Sequence, residues 1–81
     1  MTLYEFNMLD EMEQREAIWN KGVHIGDRSD EEHDIKLYQI DNFYLEIYRH
    51  REYDLVRRFR TFSSTEQLQP YLGEIDIQKL K

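Results

Sequence analysis

Apolar residues recur three and four apart over the first third of the chain and then shift to a shorter period, which predicts helix up to about residue 22 and strand beyond it. Two capping boxes divide the helical part. Thr2-x-x-Glu5 and Asp10-x-x-Glu13 each pair a side chain that accepts from a free backbone N–H with a carboxylate that reaches back. Two starts imply two helices, with one continuous bent helix as the alternative. The first carries Leu3 and Phe6, with Met8 as a third candidate, and Leu9 stands where a hydrophobic staple would. The second runs from Glu11 to about Asn20 and buries Gln14, Ala17 and Ile18, with Trp19 beside that stripe. Lys21 near the negative end of the helix dipole and Gly22 as a left-handed C-cap are expected to end it.

After Gly22 the period becomes two. "VHIGDR", flanked by glycines, suits an edge strand with a bulge, and "DRSDEEHD" is a polar connection. Asp41-Asn42 separates "IKLYQI" from "FYLEIYRH" and predicts a two-residue type I′ turn, which sets the register. Ile40 then faces Phe43, Tyr38 faces Leu45 and Lys36 faces Ile47; the other row pairs Gln39 with Tyr44, Leu37 with Glu46 and Ile35 with Tyr48. A second two-residue reversal near Arg51-Glu52 returns "YDLVRRFRTF". It puts Val56, Arg58 and Arg60 on the first face, and Leu55, Phe59 and a Glu46–Arg57 pair on the second.

Both faces are therefore partly apolar, unlike a half-exposed antiparallel sheet. Tyr38, Ile40, Phe43, Leu45, Ile47 and Val56 are assigned to a helix-covered core, although the opposite assignment fits the same pattern. Tyr44, Tyr48, Leu55, Arg57 and Phe59 form the candidate interaction face, rich in the residue types that protein interfaces favour. The alternative is that the C-terminal segment folds over this face. That segment shows a third capping box, Ser63-x-x-Glu66, and Leu68, Tyr71, Leu72 and Ile75 at helical spacing. Pro70 predicts a kink or a restart, and Gly73 an early end. The tail "DIQKLK" is expected to be an extended cover or frayed.

The fold class that results is α+β: an antiparallel four-stranded β-meander with an N-terminal helix pair and a short C-terminal helix packed on it, in the order α-α-β-β-β-β-α. A single small domain spans 1–81, with 1–22 helical, 23–62 antiparallel sheet and 63–81 the C-terminal helix and tail.

Composition narrows the chemistry. A chain of 81 residues has a marginal core, and with no cysteine it has neither disulfides nor thiolate chemistry to support it. The acidic N-terminus and the lack of a long apolar run predict a soluble, cytoplasmic protein with no membrane partner. The net charge of −6 is segregated. Residues 1–34 hold ten acids against three basic residues, whereas 35–62 hold six basic residues, five of them arginine, against four acids. An acidic whole disfavours non-specific binding to nucleic acid or anionic lipid.

His24, His33 and His50 lack the spacing of a zinc site, and the acids of residues 27–34 lack the order of a calcium loop. Ser63, Ser64 and Thr65 read as caps, and three glycines cannot supply a known phosphate-cradling loop. No catalytic, metal or cofactor site is expected. The function predicted is a non-catalytic interaction or regulatory protein, self-associating as a homodimer through the aromatic and arginine-rich face or binding another protein there. The rival reading is single-stranded nucleic acid stacked on Tyr44, Tyr48 and Phe59 with Arg49, Arg57 and Arg60 on its phosphates, or a small anion held by Arg58 and Arg60.

Overall fold

The computed structural model describes residues 1–71. The elements are α1 (Leu3–Met8), α2 (Glu11–Lys21), β1 (Val23–Ser29), β2 (His33–Ile40), β3 (Phe43–His50), β4 (Leu55–Phe62) and a 3-10 helix (Thr65–Tyr71). The architecture is α+β, a helix pair followed by an antiparallel meander in the order β1-β2-β3-β4.

Both helix starts are set by local chemistry. Thr2 Oγ1 accepts from the Glu5 N–H at 3.1 Å while Glu5 accepts from the Thr2 N–H at 2.8 Å, and Asp10 and Glu13 repeat the exchange. Gln14 ties the helices together, its Nε2 donating to the Phe6 carbonyl at 3.1 Å. Ala17 is buried, and Gln14 and Ile18 are half-buried. Met8, a candidate for the inner face, is 87% exposed instead. Gly22 is also corrected: it caps α2 in an extended conformation (φ −73°, ψ 137°), not a left-handed one. Glycine is needed there for room, because a Cβ would lie 2.5 Å from the Ile18 carbonyl oxygen.

In the sheet, β1 is an edge strand with its bulge between His24 and Gly26, and the β2–β3 register is the one the two-residue turn dictates. Of the turn pair only Asp41 takes a positive φ (50°), whereas a type I′ turn needs both. The second reversal differs more. It takes four residues, 51–54, with Asp54 at φ 54° and its N–H on the His50 carbonyl at 2.9 Å.

A bulge follows, so that Arg57 has no partner across the ladder between the pairs Arg49–Val56 and Tyr48–Arg58. Two extra turn residues alone would keep every side chain on its face, since the period is two; the single bulged residue exchanges the faces beyond it. Phe59 thus pairs with Ile47 on the helix side, and Arg58 and Arg60 stand on the opposite side across from Tyr48 and Glu46. These placements correct the expected positions of Phe59, Arg58 and Arg60.

Each face has its own core. On the helix side Phe6, Ala17, Ile40, Phe43 and Leu45 are buried together, with Ile18, Ile47 and Phe59 packed against them. Tyr38, Ile47 and Val56 are only half-buried. On the other side Ile25, Leu37, Tyr44 and Phe62 meet Leu68 and Tyr71 of the 3-10 helix. Leu68 and Tyr71 are three apart, which puts both on one face of a three-residue turn. Its first turn is supported by Ser64, whose Oγ accepts from the Glu66 N–H at 3.2 Å, not by Ser63. Leu72, Gly73, Ile75 and the tail lie outside the described residues.

Candidate functional site

Glu46 lies at the middle of β3, in the middle row of the face away from the helices, and only 1% of it is exposed. An ionised carboxylate there is costly unless donors replace its water. Four elements supply them. Arg28 Nε of β1 donates to Oε2 at 3.0 Å and Arg60 Nη1 of β4 to Oε1 at 2.7 Å. The Tyr71 hydroxyl of the 3-10 helix donates to Oε2 at 2.5 Å, and the Tyr48 hydroxyl lies 3.4 Å from Oε1. Arg28 also donates Nη2 to the Tyr48 hydroxyl at 2.9 Å. Among the described residues, no buried side-chain nitrogen or oxygen is left without a partner.

The charges follow from this geometry. Burial pushes the Glu46 carboxyl up, but the hydrogen bonds from Tyr71, Arg28 and Arg60 outweigh it and hold the group below the ordinary glutamate value of 4.5. Burial, then the adjacent carboxylate, pushes the Tyr71 hydroxyl up, so it stays a donor. Burial works against the charge of Arg28 and is overcome by Glu46 and Tyr71. A carboxylate held ionised with its lone pairs already engaged has neither a proton to give nor room for a substrate hydrogen bond. It is a clamp between strands.

The five residues of the expected interaction face do not form one surface. Tyr44 and Tyr48 are each 4% exposed. Tyr44 stacks on Phe62 with ring centroids 5.5 Å apart, in the cluster that includes Leu68 and Tyr71. Tyr48 carries the Arg58 guanidinium 4.2 Å above its ring. Leu55 is half exposed at the start of β4, and Arg57, also half exposed, reaches Glu32 at 3.9 Å. Phe59 is on the other face, so the anticipated Glu46–Arg57 pair is replaced by Glu46–Arg60. The C-terminal segment does cover part of the sheet, as the alternative had it.

Tyr71 stood in the helical run expected at the C-terminal end, but that it and Arg28 meet Glu46 is not written in the local pattern, because both come from elements joined to β3 only through space. A signal for Glu46 was present: it is the lone acid in the apolar run "FYLEIY". Asp30 is likewise engaged locally, accepting from the N–H groups of Glu32 at 2.8 Å and His33 at 2.6 Å. Among the described residues, no three His, Asp or Glu side chains converge as metal ligands would, and no helix is long and apolar enough to cross a membrane.

Open ground bordered by apolar side chains occurs on the helix side. Two cavities of about 280 Å³ each adjoin Val56 and Phe59, one reaching Phe6 and Gln14 and the other Ile18, Trp19 and Ile47. The Arg15 guanidinium stands 6.0 Å from the Phe59 ring beside them. Trp19, at the rim of the second cavity, is 88% exposed, and Met12 of the same helix is 72% exposed. Compared with known proteins, the chain matches no family model, no curated protein and no solved structure.

Proposed function

We propose that this chain is a small, non-catalytic interaction protein that self-associates, and that its docking surface is the helix layer. The exposure of Trp19 carries this reading. A tryptophan combines large contact area with a single polar atom, and it gains most from burial against a partner. Trp19 stands in water together with Met12 on the same helix and Met8 just before it. The sheet face that the residue pattern favoured for this role is taken up by the chain itself, through Arg58, Leu68 and Tyr71.

Nucleic-acid stacking on Tyr44 and Tyr48 would require both rings to be uncovered, and a small anion at Arg60 would have to displace Glu46. Neither is favoured by any contact on that face. A cytoplasmic setting is part of the proposal, since a cysteine-free chain has no use for an oxidising compartment. Sedimentation equilibrium from low to high micromolar protein is the test. A mass rising with concentration towards twice 10.1 kDa supports the reading, and a constant monomer mass overturns it.

A further inference from the structure

We infer that residues 74–77 of one copy, with the sequence "EIDI", add to β4 of a second copy as a fifth, antiparallel strand. This rests on the self-association reading and names the segment and the strand that meet.

β4 is the outer strand of the sheet and, among the described residues, pairs only with β3. The outward N–H and C=O groups of such a strand are a template for another extended chain. The edge is also open. The first of the two cavities on the helix side touches Val56, Arg57, Arg58 and Phe59 in a row. Side chains of a strand alternate between its faces, so one cavity meets all four only by running along the free edge.

The edge selects its occupant by the chemistry of both faces. On the helix side it offers Val56 and Phe59, which border both cavities, and on the other side Arg58 and Arg60. Arg58 is exposed, and the Arg60 side chain keeps 41% exposure while bonded to Glu46. A strand that fits must therefore alternate apolar with acidic residues. Residues 74–77 do so, and they are the one stretch of the sequence in which two acids alternate with two β-branched apolar residues.

With the partner's Ile75 across from Phe59, an antiparallel strand sets Glu74 beside Arg60 and Asp76 beside Arg58, and it carries Ile77 towards Val56 at the cavities. A parallel strand would carry Ile77 to Thr61 instead, which borders neither cavity. A second β4 is a poor occupant, because its arginines would face these arginines.

Reach separates a second copy from the same chain. Tyr71 stands between Arg28 of β1 and Glu46 of β3, on a 3-10 helix that packs against β1. From above β2, the line of a fifth strand beyond β4 is three strand spacings away, about 14 Å. The path from Tyr71 to Glu74 spans about 11 Å at most and must also come down from the layer above the sheet. The segment falls short of its own β4 and is free to meet another. Each copy gives one segment and receives one, so the exchange closes as a dimer.

Mixing charge variants tests this. Asp76→Arg and Arg58→Asp should each weaken self-association about tenfold in sedimentation, and an equimolar mixture of the two should recover to within about threefold of the parent, since each contact then joins opposite charges. Ile75→Asp sets a carboxylate against Phe59. It should weaken association at least about tenfold while leaving the urea midpoint of dilute protein unchanged. Circular dichroism checks that Arg58→Asp is folded; Asp76→Arg and Ile75→Asp decide the matter if it is not.

A parent dimer indifferent to Asp76→Arg and Ile75→Asp overturns the exchange and leaves self-association standing elsewhere. A mixture of folded variants no better than its components overturns it too. So does a loss of stability in dilute Ile75→Asp, which would put the segment on its own chain. A parent that stays monomeric overturns both readings.

Discussion

The two sides of the sheet are buried by opposite means. On the helix side Phe43 and Leu45, with no exposed surface, pack against Phe6 and Ala17 in a core without charge. On the other side the central residue is a carboxylate, and a 3-10 helix, two arginines and two tyrosines close over it. The helix side needs only apolar residues at the right period, so it tolerates local variation. The Glu46 side requires groups from β1, β3, β4 and the 3-10 helix to arrive together, because each missing donor leaves charge or hydroxyl unpaired. The difference is one of tolerance against specificity: apolar packing fixes only which face a residue is on and so accepts shifts of two residues, whereas the carboxylate accepts the one register that brings Arg60 opposite it.

The largest effect separating the two sides should come from the dry one. Leu45→Ala removes a fully buried side chain and is expected to cost about 3 kcal/mol in urea unfolding. Glu46→Gln keeps the shape and removes the charge. It should cost about 2 kcal/mol, less than for a fully enclosed pair, because the Arg28 and Arg60 side chains are 25% and 41% exposed and can turn to water. If Glu46→Gln is neutral, the clamp contributes nothing net and the distinction between the faces fails.

Acid sharpens the comparison further. The Glu46 carboxyl is held below 4.5 in the folded protein, so its contribution is complete above pH 4.5 and is lost as pH falls through the lowered folded-state value. The stability gap between the parent and Glu46→Gln should therefore narrow below pH 4.5, while the gap between the parent and Leu45→Ala stays constant. Urea midpoints at a series of pH values read both gaps, and parallel curves would remove Glu46 from the acid response. Glu5, Asp30 and Asp41 are also held low, but they are shared by parent and variants and cancel in the differences.

Tyr71→Phe deletes one hydroxyl donor and leaves the ring in place. A loss of about 1 kcal/mol is expected, together with faster amide exchange in the 3-10 helix than in β3. Trp19→Ala, on the outer stripe of α2, should change monomer stability by no more than about 0.5 kcal/mol. A larger loss would mean that Trp19 serves the fold rather than an interface.

The local part of this structure is legible in the chain alone. The caps at Thr2 and Asp10 and the register of β2 on β3 depend on residues a few positions apart, so propensity and turn length suffice to place them. Glu46 could be seen as anomalous in "FYLEIY", whereas Trp19, expected beside the Gln14–Ala17–Ile18 stripe, stands 88% exposed.

Tertiary structure decided the rest. One bulged residue, Arg57, sent Phe59 to the helix side and gave Glu46 the arginine at position 60 in place of 57, and no local pattern marks where such a residue falls. The closure of Tyr44 and Tyr48 by Arg28, Arg58, Leu68 and Tyr71 likewise depends on contacts between elements up to 43 positions apart. Periodicity reports that a face is apolar; only the path of the whole chain determines whether that face is covered.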